Sequence, residues 1–391
     1  MKSKGQPKHM ITQFTVENYK SIQKLEMDLG RVTVLIGANG SGKSNILEAL
    51  ALGSAAANNK LDNEFLAARG IRVTSDPRLM RAAFEETNTQ KDIKMQFQTR
   101  TQHQRGKRSH FDYLLQNDNA EDYSPWLSSA NVTANAAALK RAIKEIQDLK
   151  LSLQESEERI SRVFARMSGP QELQRFLIYS PEYAMLRTFE EEGQIQPLGI
   201  RGEGLFKLLG VIAKNDTNAL ADIKTRLECI DWFEDFSIPA DPSIGERNLQ
   251  LRDRYLDEGL DDFSQRSANE GFVFLLFFFC LFLSDDTPNF FAIDNIDTSL
   301  NPKLCSHLVR ELDTIAAEKR KQVIFTTHNP AVLDGLDLDD DEQRLFVISR
   351  NNQGHTRAER VLPPQVIEGQ TPVRLSEAFL RGYLGGLPRN F

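Results

Sequence analysis

Residues 37–44 read Gly37-Ala38-Asn39-Gly40-Ser41-Gly42-Lys43-Ser44 and fit the pattern G-x-x-x-x-G-K-[ST] at every required position. The glycines let the main chain approach a ligand closely, so that backbone N–H groups can surround phosphate oxygens. Lys43 would reach the β- and γ-phosphates as a point charge, and the Ser44 hydroxyl would ligate Mg²⁺. This phosphate loop, followed by Asn45, therefore predicts a binding site for a nucleoside triphosphate.

The sequence on both sides of the phosphate loop supports this interpretation. Residues 31–36 (RVTVLI) predict a buried strand, and residues 44–52 (SNILEALAL) predict an apolar-striped helix. The N-terminus of such a helix faces the phosphates and favours their negative charge. A glycine turn without a ligand is the alternative interpretation, and the complete motif favours the triphosphate site.

Composition limits the range of partners. The 391 residues are 40% hydrophobic, which is enough for a large core in two or three lobes. The net charge of −7 excludes a general polyanion-binding protein, so a nucleic-acid partner would need a local basic patch. One candidate patch joins the predicted strands 92–98 and 110–115, and it contains Arg100, Arg105, Lys107 and Arg108. A solvated hairpin turn is the alternative interpretation of these residues.

The cysteines and the apolar segments indicate a cytoplasmic protein without a membrane partner. Cys229, Cys280 and Cys305 are far apart in the sequence, which suggests a reducing compartment and no cysteine-based metal site. Residues 1–10 are polar and predict a flexible tail without an apolar signal segment. The apolar run 272–283 is too short to span a bilayer and predicts a buried core helix.

Residues 134–167 contain a heptad pattern. Apolar side chains recur every seven residues at Leu139, Ile146, Leu153, Ile160 and Met167. One helix of about 29 residues would reach about 43 Å. Its apolar seam could pack along the protein itself or form an intermolecular coiled coil, and the sequence leaves both alternatives open.

Three further segments could complete a triphosphate site. Residues 290–294 predict a hydrophobic strand that ends in Asp294, a carboxylate suited to holding Mg²⁺. Residues 322–327 predict another buried strand, which ends at His328. The segment from Ser267 to Gly271 opens the apolar helix and predicts an anion-binding helix start. Each segment is common alone, but their order after the phosphate loop is informative.

That order resembles the ABC-type ATPase heads of the SMC, RecF and OLD group. Residues 294–301 (DNIDTSLN) are similar to the group's D-E-I-D-A-A-L-D, and His328 matches the switch histidine. The segment 299–301 matches the D-loop. The signature motif is matched by Ser267, Asn269, Glu270 and Gly271. The resemblance covers residues 11–60 and 262–350.

The resemblance implies an α/β fold, namely an ABC-type P-loop ATPase head of two lobes with a helical, heptad-bearing insertion. The expected boundaries are 11–115 for the N-terminal lobe, 116–170 for the insertion and 171–391 for the C-terminal lobe. Two heads would form a homodimer or higher oligomer head to tail, and Ser267 of one head would complete the nucleotide site of the other. ATP and Mg²⁺ are the implied cofactors.

The sequence departs from the group at three positions. Asn295 replaces the catalytic glutamate, Asn301 replaces the D-loop aspartate, and Asn269 replaces the central glycine of the signature. The Asn295 amide can orient a water molecule but cannot take its proton at neutral pH, so we expect slow ATP hydrolysis. Asp297 and His328 are the remaining candidate catalytic side chains. The Q-loop glutamine of the group has three candidates, Gln90, Gln96 and Gln98.

The ending, residues 375–391, resembles the tails of stand-alone bacterial AAA-type ATPases that act beside a separately encoded effector in PARIS-like or Septu-like antiviral defence. By this analogy we expect an ATP-gated regulatory or sensor subunit of a bacterial defence complex. A DNA-repair or DNA-clamping ATPase of the RecF or SMC kind is the alternative. Long arms or a broad basic face would favour that alternative, and the sequence shows neither.

Overall fold

The computed structural model describes residues 9–101, 108–131, 169–188, 197–238, 248–257, 259–260, 262–363 and 373–387. The heptad pattern of residues 134–167 lies outside these ranges. Within them the strands are β1 (His9–Tyr19), β2 (Ile22–Asp28), β3 (Val32–Ile36), β4 (Ile93–Thr101), β5 (Arg108–Gln116), β6 (Leu127–Asn131), β7 (Ile178–Tyr179), β8 (Phe233–Ser237), β9 (Gln250–Asp253), β10 (Phe263–Ser264), β11 (Phe290–Ile293), β12 (Gln322–Thr327), β13 (Gln343–Arg350) and β14 (Thr356–Val361).

The α-helices of the described ranges are α1 (Lys43–Ala57), α2 (Asn63–Ala68), α3 (Gln171–Gln174), α4 (Tyr183–Thr188), α5 (Leu205–Asn215), α6 (Thr217–Leu227), α7 (Glu270–Leu283), α8 (Pro302–Lys319) and α9 (Leu375–Leu380). Short 3-10 helices cover Pro77–Met80, Glu86–Gln90, Gln265–Ser267 and Pro330–Gly335.

A six-stranded sheet forms the centre of the molecule, with the strand order β14-β13-β3-β12-β11-β7. All neighbouring pairs are parallel except β13 and β14. Every residue of β3, β11 and β12 is buried, as expected for parallel strands that are covered on both faces. Because β3 pairs with β12 and β13, the two predicted lobes share this sheet. The carboxyl ends of its parallel strands meet at one edge, where the phosphate loop begins.

A five-stranded antiparallel sheet, with the order β2-β1-β4-β5-β6, packs on the other side of α1. The predicted strands 92–98 and 110–115 are confirmed as β4 and β5, which pair with each other. The expected boundaries place residues 127–131 in the helical insertion, and the structure corrects this. These residues form β6, because their hydrogen bonds to β5 satisfy backbone groups that an open sheet edge would leave unpaired.

In two segments the structure differs from what the local sequence pattern favours. The many small residues of 53–70 favour a loop, but α1 continues to Ala57 and α2 follows. Alanine is the best helix former, and this part of α1 is buried. The pattern of residues 219–236 is compatible with one helix, but α6 ends at Leu227 and β8 follows. Phe233 and Phe236 are both buried in β8, so tertiary packing overrides the local helical pattern.

The helix α7 confirms the prediction of a buried core helix. All of residues 272–283 are buried, and α4, α5, α6 and α8 pack around them. The carbonyl groups at its C-terminal end accept hydrogen bonds from the buried Lys321 ammonium, at 3.0 Å for Leu281 and 2.8 Å for Ser284. This contact satisfies carbonyls that have no partner within the helix. No helix of the described residues is long and apolar enough to cross a membrane.

Gly53 lies in α1 where a side chain cannot fit, because a Cβ atom would lie 2.3 Å from the buried Phe97 ring. We predict that Gly53→Ala lowers the free energy of unfolding by about 1–3 kcal/mol through overpacking. Gly210 in α5 is the matched control, since a Cβ atom there meets nothing within 4 Å. Gly210→Ala should raise stability by about 0.4–1 kcal/mol. Urea unfolding measures both variants, and equal effects would contradict the packing of α1 against β4.

Candidate nucleotide-binding site

The phosphate loop connects β3 to the first turn of α1. Gly42 has a left-handed φ of 110°, and a Cβ atom there would lie 2.1 Å from Thr356 Oγ1. Gly40 has a left-handed φ of 72°, and the space beside it is open. Both positions need a backbone conformation that side chains disfavour. The loop backbone is therefore accessible to a ligand at Gly40 and at the exposed Asn39.

Lys43 is folded back onto its own loop. Its Nζ donates hydrogen bonds to the carbonyl oxygens of Gly37 at 2.7 Å and Ala38 at 3.1 Å, and lies 3.4 Å from His328 Nδ1. Burial lowers the pKa of Lys43 to about 8, against the opposing effect of Asp294 and Asp297. Burial and the nearby Lys43 charge also lower the pKa of His328. The imidazole is therefore mainly neutral at pH 7, when one of its nitrogens can accept a hydrogen bond.

Ser44 and Asp294 bring a hydroxyl and a carboxylate together from distant parts of the sequence. Ser44 Oγ lies 3.3 Å from Asp294 Oδ2, and Thr326 Oγ1 donates to Asp294 Oδ1. The pairing of β11 with β12 explains the second contact, since both residues lie at the carboxyl end of the sheet. Hard oxygen ligands of this kind suit Mg²⁺.

The donor set of the loop fits a phosphate group together with Mg²⁺. The Ser41 hydroxyl is buried and has no hydrogen-bond partner, as expected for a donor that meets a ligand oxygen. Within the described residues no three His, Cys, Asp or Glu side chains form a metal site by themselves. Ser44 and Asp294 would therefore hold Mg²⁺ only together with phosphate oxygens and water.

Asn45 belongs to a polar network that the sequence did not predict. Its Nδ2 donates to Ser21 Oγ at 2.6 Å, and its Oδ1 accepts from Arg72 at 3.0 Å. Arg72 and Lys20 both form ion pairs with Glu48, whose side chain is buried on α1. Glu48 was detectable as a lone carboxylate in an otherwise apolar run, but its two cationic partners were not. This network fixes the first turns of α1 against β1.

Asn295 and Asp297 follow Asp294 at the same edge. Asn295 is exposed and has a left-handed φ of 56°, a conformation in which asparagine is enriched. Its backbone N–H donates to Thr326 Oγ1 at 2.9 Å. Asp297 Oδ1 accepts a hydrogen bond from Thr327 Oγ1 at 2.6 Å. The structure thus brings the predicted residues of this segment to the edge that carries Lys43 and His328.

The signature segment needs a correction. Ser267 was expected to open the apolar helix, but it is an exposed residue at the end of the 3-10 helix Gln265–Ser267. Asn269 is the N-cap of α7, and its side-chain oxygen accepts from Phe272 N at 2.9 Å. Asparagine is among the preferred N-cap residues, which explains an amide where the group has glycine. Glu270 and Gly271 form the first turn of α7.

The D-loop is bound to the signature segment within the chain. Ser299 Oγ donates to Glu270 Oε2 at 2.6 Å, and Asn301 caps α8 by accepting from Leu304 N at 2.9 Å. Among the described residues, no hydrogen bond or ion pair joins the signature segment to the phosphate loop of the same chain. The two halves of the predicted shared site are therefore separate elements of one head.

The C-terminal segment also reaches the phosphate loop, which sequence reasoning missed. The Gly386 carbonyl accepts a hydrogen bond from Ala38 N at 3.2 Å. Gly386 has a φ of 77°, and a Cβ atom there would lie 2.4 Å from Val347 Cγ1. The preceding helix α9 is held by Ser376, whose hydroxyl donates to Asp334 Oδ2 at 2.7 Å. The pair Gly385-Gly386 was the available signal in the sequence.

The Q-loop candidates do not lie at this edge. Gln96 and Gln98 are in β4 of the five-stranded sheet, and Gln90 ends the 3-10 helix Glu86–Gln90. The strand beside β11 is β7, and Tyr179 O accepts from Asp294 N at 2.8 Å. The exposed Ser180 follows β7 and therefore occupies the position next to Asp294.

Two residues of the predicted basic link are described, Arg100 and the exposed Arg108 at the start of β5. Arg100 forms an ion pair with Glu342 at 2.8 Å, so part of its charge is neutralised within the chain. Arg105 and Lys107 lie outside the described residues.

Comparison with known proteins agrees with this geometry. A family described as "AAA domain, putative AbiEii toxin, Type IV TA system" matches residues 32–334. The chain belongs to this AAA-domain family. The matched region of the family includes the phosphate loop, Asp294 and His328. A search of the curated proteins found no match.

Solved structures show the same fold in SMC heads. One is an SMC head bound to the C-terminal winged-helix domain of ScpA, with 16% identity, a TM-score of 0.55 and coverage of 90% of this chain and 98% of that chain. Another is an SMC head with an extended coiled coil, bound to the C-terminal domain of ScpA derived from Pyrococcus furiosus. It has 13% identity, a TM-score of 0.51 and coverage of 90% and 96%. This member of the AAA-domain family therefore has an ABC-type P-loop ATPase head fold.

Lys43→Ala tests the phosphate loop. We predict that the variant loses measurable ATP binding, because Lys43 supplies the cation that faces the β- and γ-phosphates. Isothermal titration with Mg²⁺ and ATP measures the change. Lys60→Ala is the control, since Lys60 is an exposed lysine that lies outside the loop. Unaltered ATP affinity of Lys43→Ala would contradict the site.

Proposed function

We propose that this chain is an ATP-binding switch subunit that hydrolyses ATP slowly and regulates a separately encoded effector in bacterial antiviral defence. The observation that carries the proposal is the assembly of Lys43, Ser44, Asp294 and His328 at one sheet edge, with Asn295 at the position of the catalytic glutamate. Such a site can bind a triphosphate but lacks the usual base.

Triphosphate binding would use residues whose geometry already suits it. Lys43 would exchange its two carbonyl contacts for phosphate oxygens, and the unpartnered Ser41 hydroxyl would gain an acceptor. Ser44 and Asp294 would hold Mg²⁺, which when bound neutralises phosphate charge. The α1 N-terminus adds backbone donors that favour an anion.

Slow hydrolysis follows from the chemistry of the side chains near Asp294. The Asn295 amide can orient a water molecule but cannot take its proton at neutral pH. Losing a general base typically costs about 10²–10⁴-fold in rate. Asp297 is a carboxylate, but one of its oxygens accepts from Thr327, which points to a structural role. The neutral His328 would orient water or the γ-phosphate.

Pairing of two heads would complete the site. Ser267 is exposed, and the described residues show no bond between the signature segment and the phosphate loop of its own chain. A second copy placed head to tail would bring Ser267 to that loop, so that ATP contacts both copies. Slow hydrolysis would then prolong the paired state, which suits a switch better than a motor.

Two findings support an effector partner in defence. The family description includes an AbiEii toxin and a type IV toxin–antitoxin system. The similar SMC heads are bound to domains of ScpA, so this fold can carry a partner protein. The DNA-clamping alternative would need free basic side chains, and Arg100 is already paired with Glu342. We therefore favour the switch.

Asn295→Glu tests the missing base. We predict that it raises a slow wild-type turnover at least about tenfold under saturating ATP, because a carboxylate can accept the proton of the attacking water. Asn295→Gln is the matched control. Glutamine has the same side-chain length as glutamate and the same cost of a left-handed backbone at this position, but its amide cannot take a proton. Phosphate release measures the rate.

Asp297→Ala gives the opposing outcome. Fast wild-type turnover that collapses in Asp297→Ala would show that Asp297 is the base and would overturn the assignment to Asn295.

Ser267→Arg tests the pairing of heads. We predict that it preserves ATP binding but prevents an ATP-dependent increase in mass, because a large cation would enter the shared γ-phosphate contact. Light scattering with Mg²⁺ and ATP measures the mass. Asp285→Arg is the control, because Asp285 is exposed beyond the opposite end of α7. An unchanged ATP-dependent mass in Ser267→Arg would contradict the shared site.

A further inference from the structure

A second cavity lies beside β7. We call it the β7 cavity, and its volume is about 330 Å³. Its lining includes Arg69 after α2, Arg175 after α3 and Tyr179 of β7, and Leu198 contributes an apolar wall. Ser54, which contacts Arg69, is eleven residues beyond Lys43 on α1, or about 16 Å along the helix axis. The cavity is therefore separate from the phosphate loop.

Arg69 carries a charge without a carboxylate partner. Its Nε donates to Ser54 Oγ at 3.3 Å, and its guanidinium lies 3.5 Å from the centre of the Phe65 ring. No ion pair involves Arg69 among the described residues. Burial lowers the pKa of Arg69 to about 10, so the group stays protonated at neutral pH. Arg69 is half-buried, and besides Ser54 its guanidinium reaches one further acceptor, the Gln174 carbonyl at 3.5 Å. Partial burial of such a charge is unfavourable, and a bound anion would compensate it.

Two further residues of the cavity lining, Arg175 and Tyr179, carry hydrogen-bond donors that suit an anion. Arg175 donates to the Asp286 carbonyl at 3.0 Å and also has no ion pair in the described ranges. The Tyr179 side chain is completely buried, and its hydroxyl has no hydrogen-bond partner. The Arg175 charge acts on the Tyr179 hydroxyl, which burial keeps protonated by raising its pKa. A tyrosine retained only for packing would gain nothing from this oxygen, whereas a donor to a ligand needs it.

We propose that the β7 cavity binds a small phosphate-bearing anion through Arg69, Arg175 and the Tyr179 hydroxyl. Two guanidinium groups and a hydroxyl match the oxygens of a phosphate group, and the volume leaves room for a short organic substituent against Leu198. The ligand is either inorganic phosphate or a small phosphate ester. This site does not depend on the proposed switch function.

The site is connected to the nucleotide edge by one strand. Tyr179 is part of the cavity lining, and its carbonyl oxygen accepts a hydrogen bond from Asp294 N at 2.8 Å. A ligand that fixes Tyr179 therefore also acts on the backbone that carries Asp294.

Phosphate binding to the full chain tests the proposal. The Lys43→Ala background removes the main cation of the phosphate loop, and isothermal titration with inorganic phosphate then reports the β7 cavity. We expect saturable binding that Arg69→Gln weakens about tenfold or more, because a charge-assisted hydrogen bond is lost. Arg78→Gln is the control, since it removes an exposed arginine outside the cavity. Titration with glycerol 3-phosphate distinguishes the two ligands: tighter binding identifies a phosphate ester, and weaker binding identifies inorganic phosphate.

Tyr179→Phe provides a second test, because it removes a single oxygen atom without changing the shape of the ring. We expect affinity to fall several-fold and thermal stability without phosphate to be unchanged or higher. The proposal is overturned if Lys43→Ala shows no saturable phosphate binding. It is equally overturned if folded Arg69→Gln binds phosphate as tightly as its parent, or if Arg69→Gln does not fold and Tyr179→Phe leaves the affinity unchanged.

Discussion

The contact between the Ser44 hydroxyl and the Asp294 carboxylate, at 3.3 Å, joins residues that are 250 positions apart in the sequence. It exists because β3, β12 and β11 are consecutive parallel strands whose carboxyl ends meet at one edge. The long apolar helix α7 packs in the same core as these strands. A change in strand register would move Asp294 away from Ser44, so the chemistry of the site depends on the packing of the whole central sheet.

The strands and motifs of this edge could be predicted because their signals are local. The runs 290–293 and 323–327 are fully buried and apolar or β-branched, and each is followed directly by a polar residue of the site, Asp294 or His328. The glycine pattern of the phosphate loop reflects steric contacts such as that of Gly42 with Thr356. Asn295 was visible as a departure from the group, but its left-handed backbone was not.

Other features could not be predicted because they depend on residues that are distant in the sequence. Glu48 meets Lys20 and Arg72 only after α1 packs against β1, and the Gly386 contact joins the phosphate loop to a segment far along the chain. The alanine-rich end of α1 could not be assigned from composition, because small residues are common in loops as well as in helices. Its burial in the core stabilises the helix. The sequence pattern places the predicted start of the apolar helix at Ser267 rather than at Asn269, because a helix start cannot be located to within two residues from sequence alone.

The central claim is that the triphosphate and its metal ion are held between Ser44 and Asp294. A crystal structure with Mn²⁺ and a non-hydrolysable ATP analogue tests it directly, since anomalous scattering locates the metal. We predict one anomalous peak between Ser44 Oγ and the Asp294 carboxylate, with Lys43 Nζ moved from the Gly37 and Ala38 carbonyls to the phosphates. A nucleotide bound elsewhere, or a metal peak that contacts neither Ser44 nor Asp294, would contradict the account.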